Sequence, residues 1–97
     1  MLNTSMLVGK INEIINEGQG NTLLSLAVQR PYKNENGSYD VDLIPCTLSG
    51  TISNSIEKYC KIGDVVGVRG SLMVIGTNLN LSVDKVTFLS TKKVKGD

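Results

Sequence analysis

Apolar and polar residues alternate along most of the chain, and a two-residue period is typical of half-buried β-strands. In the segment 22–30, Leu24, Leu26 and Val28 alternate with small or polar residues, and the segment 39–49 repeats this spacing. Less regular runs of the same kind predict three more strands, at 3–12, 64–75 and 79–90.

Residues that favour turns separate these runs. The stretch NEGQGN at 16–21 and the pair Asn36-Gly37 are turn signals, and Asn-Gly is the strongest short signal for a β-hairpin. A tight turn is expected at 76–78. Pro31 is expected to end the second strand, and Pro45 indicates an edge position or a bulge in the third, because proline cannot donate to a strand ladder.

One segment, 51–63, changes from the strand period to the helical period. Thr51 or Ser53 is expected to cap the start of this short amphipathic helix, and Lys61 with Gly63 marks its end. The helical spacing predicts that its larger apolar side chains, Tyr59 included, lie in the core. These side chains are Ile52, Ile56, Tyr59 and Cys60.

The order of elements is three strands, one helix and two strands. This order predicts an all-β fold, a five-stranded, partly open OB-fold barrel with its one short helix between strands 3 and 4. Gly67 and Gly70 indicate a coiled corner of such a barrel. In the last strand the apolar positions change parity, which predicts a bulge near Asp84-Lys85. The expected domain covers residues 1–90, and a short basic tail covers 91–97.

Length and composition agree with one small domain. The chain has 97 residues, of which 40% are hydrophobic and 20% charged, as in ordinary globular proteins. No apolar run approaches the roughly eighteen residues that a membrane span needs. The start, MLNTSMLVGK, does not have the pattern of a signal peptide. We therefore expect a cytoplasmic location and no membrane partner.

The charge is unevenly distributed. The net charge is +1, but residues 90–97 hold three lysines against one aspartate, which leaves −1 for residues 1–89. Any binding of nucleic acid by the folded body must therefore depend on local placement of charge and on stacking, and not on a large general field.

Residues suited to catalysis or metal binding are few. The chain has no histidine, and its two cysteines, Cys46 and Cys60, are read as reduced and mostly buried. A Cys46–Cys60 bridge or a redox thiol is the less favoured alternative. Asp40 and Asp42 have no third ligand or nucleophile nearby in sequence, so they are read as edge-strand charges that discourage aggregation. We expect no enzyme activity, metal, cofactor or small-molecule substrate.

Four stretches of the chain together resemble the bacterial and phage-type single-stranded DNA-binding protein family in a compact form. They are MLVGKI at 6–11, the segments 23–46 and 48–72, and VTFLS at 86–90. The resemblance implies an OB-fold that forms a homodimer or homotetramer, with single-stranded DNA wrapped over basic and aromatic side chains. It also implies a role in DNA replication, recombination or repair.

The resemblance places the segment Arg30-Pro31-Tyr32-Lys33 at the entry to a DNA-contacting hairpin loop, with an aromatic residue where Tyr32 stands. Single-strand binders need aromatic faces on which bases stack and cations that follow the backbone, and Tyr32 between Arg30 and Lys33 supplies both. The alternative is a loop tyrosine folded over the end of the barrel beside solvated charges.

Three further residues are weaker candidates for DNA contact. Lys10 and Arg69 lie on strands and match polar positions of the family, although a solvated strand face is the commoner fate of such residues. Tyr39 either stacks on a base or covers the hairpin.

The chain also departs from the family. Leu43 and Ser49 stand on the third strand where relatives place aromatics, the chain has no tryptophan, and the last hairpin is short. The printed sequence shows no acidic, partner-recruiting tail of the kind found in the family, so we expect a compact form without one. The leading hypothesis is therefore weak, largely sequence-independent binding of single-stranded DNA. The alternative is an OB-fold oligomeric interaction module with little or no affinity for nucleic acid.

The first strand is predicted to carry apolar side chains on both faces. Met6, Val8 and Lys10 share one parity, and Leu7 and Ile11 share the other. One face fills the core, so the other stays exposed unless a partner covers it. We expect a homo-oligomer assembled in part through this strand, and a monomer with an exposed apolar edge is the alternative.

Overall fold

Residues 3–89, which a computed structural model of the chain describes, form five strands closed into a barrel and one helix between the third and fourth strands. The predicted tail at 91–97 lies outside the described residues. The elements are β1 (Ser5–Gly18), β2 (Asn21–Lys33), β3 (Tyr39–Ser49), α1 (Gly50–Tyr59), β4 (Val65–Ile75) and β5 (Asn78–Phe88).

The strands follow the order β1-β2-β3-β5-β4, and β4 returns to pair with β1. Every ladder is antiparallel except the short β3–β5 contact, where Cys46 pairs with Leu81 and Thr47 with Ser82 in parallel. The predicted OB-fold is confirmed, although the barrel is closed and not partly open. Pro45 directly precedes this two-residue ladder, so within residues 3–89 most of the outer edge of β3 has no strand partner, as its proline indicated.

The core is built from one parity of each strand together with one residue of α1. Burying an aliphatic side chain of this kind contributes about 1.5–3 kcal/mol each. The alternation in β2 and β3 predicted its centre correctly. The buried hydrophobic residues are Ile11, Leu24, Leu26, Cys46, Leu48, Ile56, Val66, Val68, Leu81 and Val83.

Strand β1 is longer than the predicted 3–12 and continues to Gly18, so the turn shrinks to Gln19 and Gly20. It bends at a bulge between Ile11 and Glu13. Before the bend, residues 5–10 pair with β4, and from residue 10 onward the strand pairs with β2. Pairing with two different strands explains the length of β1. The irregular pattern of apolar and polar residues after residue 12 did not indicate it.

The prediction that Pro31 ends β2 is wrong, since the strand continues to Lys33. The ladder runs regularly to Gln29–Val41 and resumes at Lys33–Tyr39, with three residues of β2 opposite one residue of β3. Pro31 lies inside this bulge, where its missing N–H removes no regular ladder bond.

Helix α1 spans Gly50–Tyr59 and is shorter than the predicted 51–63. Its N-cap residue is Ser49, with no side-chain capping bond, so the predicted cap at Thr51 or Ser53 is wrong. Residues 61–63 form a separate turn tied to β1, because the Gly63 N–H donates to the Ile11 carbonyl at 2.8 Å.

Ser53 does not cap the helix because its hydroxyl is buried against β2. It bonds the hydroxyl of Thr22, which in turn donates to Glu57 Oε2 at 2.7 Å. The second oxygen of Glu57 accepts a bond from Asn16 Nδ2 at 2.8 Å. The chain of bonds satisfies two buried hydroxyls and fixes α1 across the β1–β2 hairpin.

Tyr59 is 64% exposed, so its predicted place in the core is wrong. It is the last residue of α1, and only Ser53 and Ile56 of that helix are buried. Its ring packs loosely against Phe88, with 6.4 Å between ring centroids.

The predicted bulge at Asp84-Lys85 is confirmed. Arg69 pairs with Lys85 and Gly70 pairs with Val83, which leaves Asp84 as the extra residue of β5. Beside it, β4 packs directly on the backbone of β5. A Cβ atom at Gly70 would overlap the Ser82 carbonyl oxygen and lie 2.7 Å from its carbonyl carbon.

Both cysteines are free thiols. Cys46 is buried as expected, and burial raises the pKa of its thiol to about 11. Cys60 is half-buried, and burial together with Asp64 raises its pKa as well. Among residues 3–89, no helix is long and apolar enough to cross a membrane.

Candidate nucleic-acid interface

The β2–β3 hairpin carries most of the candidate residues, and its turn is internally braced. Asn34 Oδ1 accepts the backbone N–H groups of Asn36 at 2.8 Å and Ser38 at 3.1 Å. Gly37 takes a positive φ of 81°, which glycine adopts without strain. The predicted Asn-Gly turn is therefore present, and it holds the two arms of the hairpin in register.

Arg30 is fixed by the acidic pair on β3. Its Nε donates to Asp42 Oδ2 at 3.0 Å and its Nη2 to Asp42 Oδ1 at 2.9 Å, while Asp40 lies 4.0 Å away. The hydrogen bond from Arg30 lowers the pKa of the Asp42 carboxyl below its ordinary value. Asp40 and Asp42 thus have a definite partner, which the sequence interpretation of them as edge charges did not include.

Tyr32 is 80% exposed and lies in the bulge of β2. The next residue, Lys33, pairs with Tyr39 across the hairpin and holds its Nζ 5.9 Å from the centre of the Tyr39 ring, a cation–π arrangement. The structure therefore divides the predicted Arg30–Tyr32–Lys33 unit. Arg30 is paired with a carboxylate, whereas Tyr32 and the Lys33–Tyr39 pair offer aromatic faces and a cation to solvent.

From Tyr39, one face of β3 forms a line of outward residues that we call the outer strip: Tyr39, Val41, Leu43 and Pro45. Residues of the other parity, such as Ile44 and Cys46, pack on or in the core. Tyr39, Val41 and Leu43 are exposed. Their partners on β2 are small or polar, so the strip is an open apolar surface along the hairpin. The partners of Val41, Leu43 and Pro45 are Gln29, Ala27 and Ser25.

Lys10 lies on the β2 side of the outer strip, one strand further away, on β1. It is exposed and pairs with Ala27, whose other neighbour is Leu43. Two strand spacings separate the Cα atoms of Lys10 and Leu43, which is about 10 Å. The structure thus brings Lys10, Lys33 and Tyr39 to one surface.

Arg69 lies elsewhere. It pairs with Met6 of β1 and Lys85 of β5, and its Nε donates to Asp84 Oδ1 at 2.9 Å. The structure does not bring it to the outer strip, and its charge is balanced by the carboxylate of the bulge residue.

Sequence reasoning missed the outer strip as a surface, and it missed Leu79 and Asn80 of β5 beside the strip's end. The parity of the third strand was the available signal for Val41 and Leu43. No pattern in the sequence around Asn80 indicates that it lies beside the strip. Its position follows from the β3–β5 pairing, which joins segments far apart in the chain.

A profile of the single-strand binding protein family matches residues 2–92. The chain belongs to this family. The description of the family names the binding of single strands. The resemblance inferred from the sequence is confirmed.

Two bacterial relatives illustrate the similarity. The single-stranded DNA-binding protein 1 of Clostridium acetobutylicum is 31% identical over 107 residues, which cover 95% of this chain and 97% of the relative. The single-stranded DNA-binding protein B of Bacillus subtilis is 32% identical over 77 residues, covering 74% of this chain and 68% of the relative.

Solved structures share the fold. A mitochondrial single-stranded DNA-binding protein from S. cerevisiae superposes with a TM-score of 0.77 at 20% identity, over 94% of this chain and 98% of the other. A small single-stranded DNA-binding protein from Streptomyces coelicolor gives a TM-score of 0.68 at 15% identity, over 92% and 95%. At these identities the comparison supports the barrel architecture alone.

Proposed function

We propose that the chain binds single-stranded DNA along the outer strip and the adjoining hairpin, with little dependence on base sequence. The observation that carries this proposal is the exposure of Tyr32 beside the Lys33–Tyr39 pair, on a hairpin braced by the hydrogen bonds of its turn. Tyr32 and Tyr39 are the stacking platforms. Stacking is sequence-tolerant because every base has a π-face.

The proposed phosphate contacts are Lys10 and Lys33, both on the β2 side of the strip. Arg30 joins them only by leaving Asp42, and Arg69 is a separate candidate away from the strip, paired with Asp84. Exposed ion pairs of this kind contribute little stability, so a phosphate can exchange with a carboxylate at small cost. With residues 1–89 at net −1, we expect a low affinity for this family and a shallow salt dependence.

The names of the relatives favour DNA binding over the alternative of an interaction module without nucleic-acid affinity. The proposal further includes a binding role without catalysis, in replication, recombination or repair, and a cytoplasmic location. The free thiols of Cys46 and Cys60 are compatible with that reducing compartment.

Mapping by nuclear magnetic resonance tests the proposed surface. On titration with oligo-dT, the largest amide shift changes are expected in the β2–β3 hairpin and along β3, including Tyr32, Lys33 and Val41, because these residues meet the bases. Amides of α1 are the internal control and should stay unchanged. Changes confined to the β1–β4 surface would contradict the placement.

The oligomer is a separate proposal, and the exposed face of β1 supports it. Met6 is 76% exposed and Val8 58% exposed. Beside Val8, Gly67 of β4 adds no side chain, so the surface is flat as well as apolar. Residues 5–8 pair with β4 but precede the β1–β2 ladder, so their other edge has no ladder partner among residues 3–89. A second copy placed across a two-fold axis covers both the face and the edge.

Sedimentation equilibrium at micromolar concentration tests the assembly. We expect a dimer or tetramer for the natural chain and a shift toward monomer for Val8→Asp, since a charge on a covered apolar face is costly to bury. Val41→Asp, an equally exposed valine on β3, is the matched control and should keep the oligomer. A natural chain that sediments only as a monomer refutes the proposal.

A further inference from the structure

A cleft of about 330 Å³ lies at the end of the outer strip, where β3 meets the β4–β5 hairpin. Pro45 lines it on the β3 side, and the exposed apolar side chains of Ile75 and Leu79 line it on the hairpin side. This volume is at the lower end of the range for small-molecule sites. The lining residues are Pro45, Ile75, Asn78, Leu79 and Asn80.

Asn80 is the polar group of this cleft with an unmet hydrogen bond. The side chain is only 8% exposed, and its Nδ2 donates to Thr47 Oγ1 at 2.7 Å. Its Oδ1 is buried and has no hydrogen-bond partner among the described residues. Buried polar atoms are nearly always paired, because leaving one unpaired forfeits the bonds it made to water. The cleft therefore holds an acceptor to which no group of residues 3–89 donates.

Strand alternation places Asn80 on the outside of the barrel. Its neighbour Leu81 faces the core, so Asn80 faces the opposite way, as do Pro45 and Thr47 on β3. The cleft consequently opens on the same surface as the outer strip. A DNA strand lying along Tyr39, Val41 and Leu43 would deliver a base to it.

The chemistry of the cleft selects among bases. Its walls are apolar and suit the faces of a planar ring, and its acceptor requires an N–H donor. Cytosine carries an exocyclic amino group with two N–H donors, whereas thymine has a carbonyl oxygen at the corresponding position. Thymine does have one ring N–H donor, but it lies between two carbonyl oxygens. If this N–H entered the cleft, both oxygens would lose their hydrogen bonds to water and gain no partner.

We propose that this cleft binds one nucleobase of the single strand, and that Asn80 Oδ1 accepts a hydrogen bond from the base's exocyclic amino group. This inference rests on the proposed function and adds to it a modest preference for cytosine over thymine. Because this oxygen is buried, lining side chains such as the exposed Ile75 and Leu79 must move for a base to reach it.

The test compares three oligomers of equal length on the natural chain, in mildly alkaline buffer that keeps cytosine unprotonated. They are oligo-dC, oligo-dT and an oligomer of 2-pyrimidinone, in which hydrogen replaces the amino group of cytosine. One net hydrogen bond predicts binding to oligo-dC about threefold to tenfold tighter than to the other two. Because only the ligand changes, folding of a variant plays no part.

Two variants assign the preference to its residue. Asn80→Leu should make the affinities for oligo-dC and oligo-dT equal, while Asn78→Leu, an exposed asparagine of the same cleft, should keep their ratio. Equal affinities in the natural chain, a preference for oligo-dT, or an unchanged ratio in Asn80→Leu each overturn the inference. Failure to bind any of the oligomers refutes the proposed function itself, which is a distinguishable result.

Discussion

Replacing Gly70 with alanine is expected to lower the free energy of unfolding by about 1–3 kcal/mol or more, the range for forcing extra atoms into a packed interior. The new Cβ would overlap the Ser82 carbonyl oxygen and lie 2.9 Å from the Cα of Val83. Both are backbone atoms of the paired strand, so no rotation of a side chain relieves the contact. Chemical denaturation measures the loss.

Gly67→Ala is the matched control, since Gly67 lies on the same strand but has its nearest contact at 3.7 Å, to Leu89 Cδ1. Alanine there should leave stability unchanged or raise it slightly by restricting the unfolded chain. The free energies of unfolding of both variants are measured at several protein concentrations, which separates an effect on folding from an effect on assembly. Equal stability of the two variants would contradict the close approach of β4 and β5.

Tyr32→Ala is expected to weaken binding of single-stranded DNA by about 1–3 kcal/mol, or roughly 5-fold to 150-fold, because it removes one stacking platform. The free energy of unfolding should stay the same, since Tyr32 is 80% exposed and contributes little to the core. Fluorescence titration with oligo-dT and chemical denaturation measure the two quantities.

Tyr59→Ala provides the control for this loss. Tyr59 is also an exposed tyrosine, but α1 carries it and the hairpin does not. Its removal should leave the affinity for DNA unchanged. If the two tyrosine variants bind equally well, or lose affinity equally, Tyr32 is not the platform that we assign.

Most of the barrel was predictable because each strand packs one parity of its side chains on the core. In β2 the alternation of Leu24, Leu26 and Val28 fixed both the strand and its buried face, and the parity change in β5 located the bulge at Asp84. These signals are local, so a single sequence carries them.

The errors occurred where distant contacts decide the structure. Pro31 stays within β2 because a bulge opposite Asp40 accommodates it, and bulges depend on the partner strand. Tyr59 is exposed because α1 stops before the turn that binds Ile11. The local sequence pattern predicts neither the bulge that accommodates Pro31 nor the early end of α1.

The candidate site was predicted in part. Tyr32 is exposed and Lys33 lies close to Tyr39, and the contact of these residues with DNA stays a prediction. Pairing of Arg30 with Asp42 was missed, because cross-strand neighbours follow from the register and not from spacing along the chain. The cleft at Asn80 was missed for the same reason.

Titration of the natural chain with long oligo-dT at about 50 mM salt tests the central claim most directly. Binding is expected, with weaker binding to a duplex of equal length, because stacking platforms need unpaired bases. Affinity should fall with salt at a shallow slope, about −0.7 in the log–log plot for each phosphate neutralised. No detectable binding to the single strand under these conditions would contradict the account and favour an oligomeric interaction module.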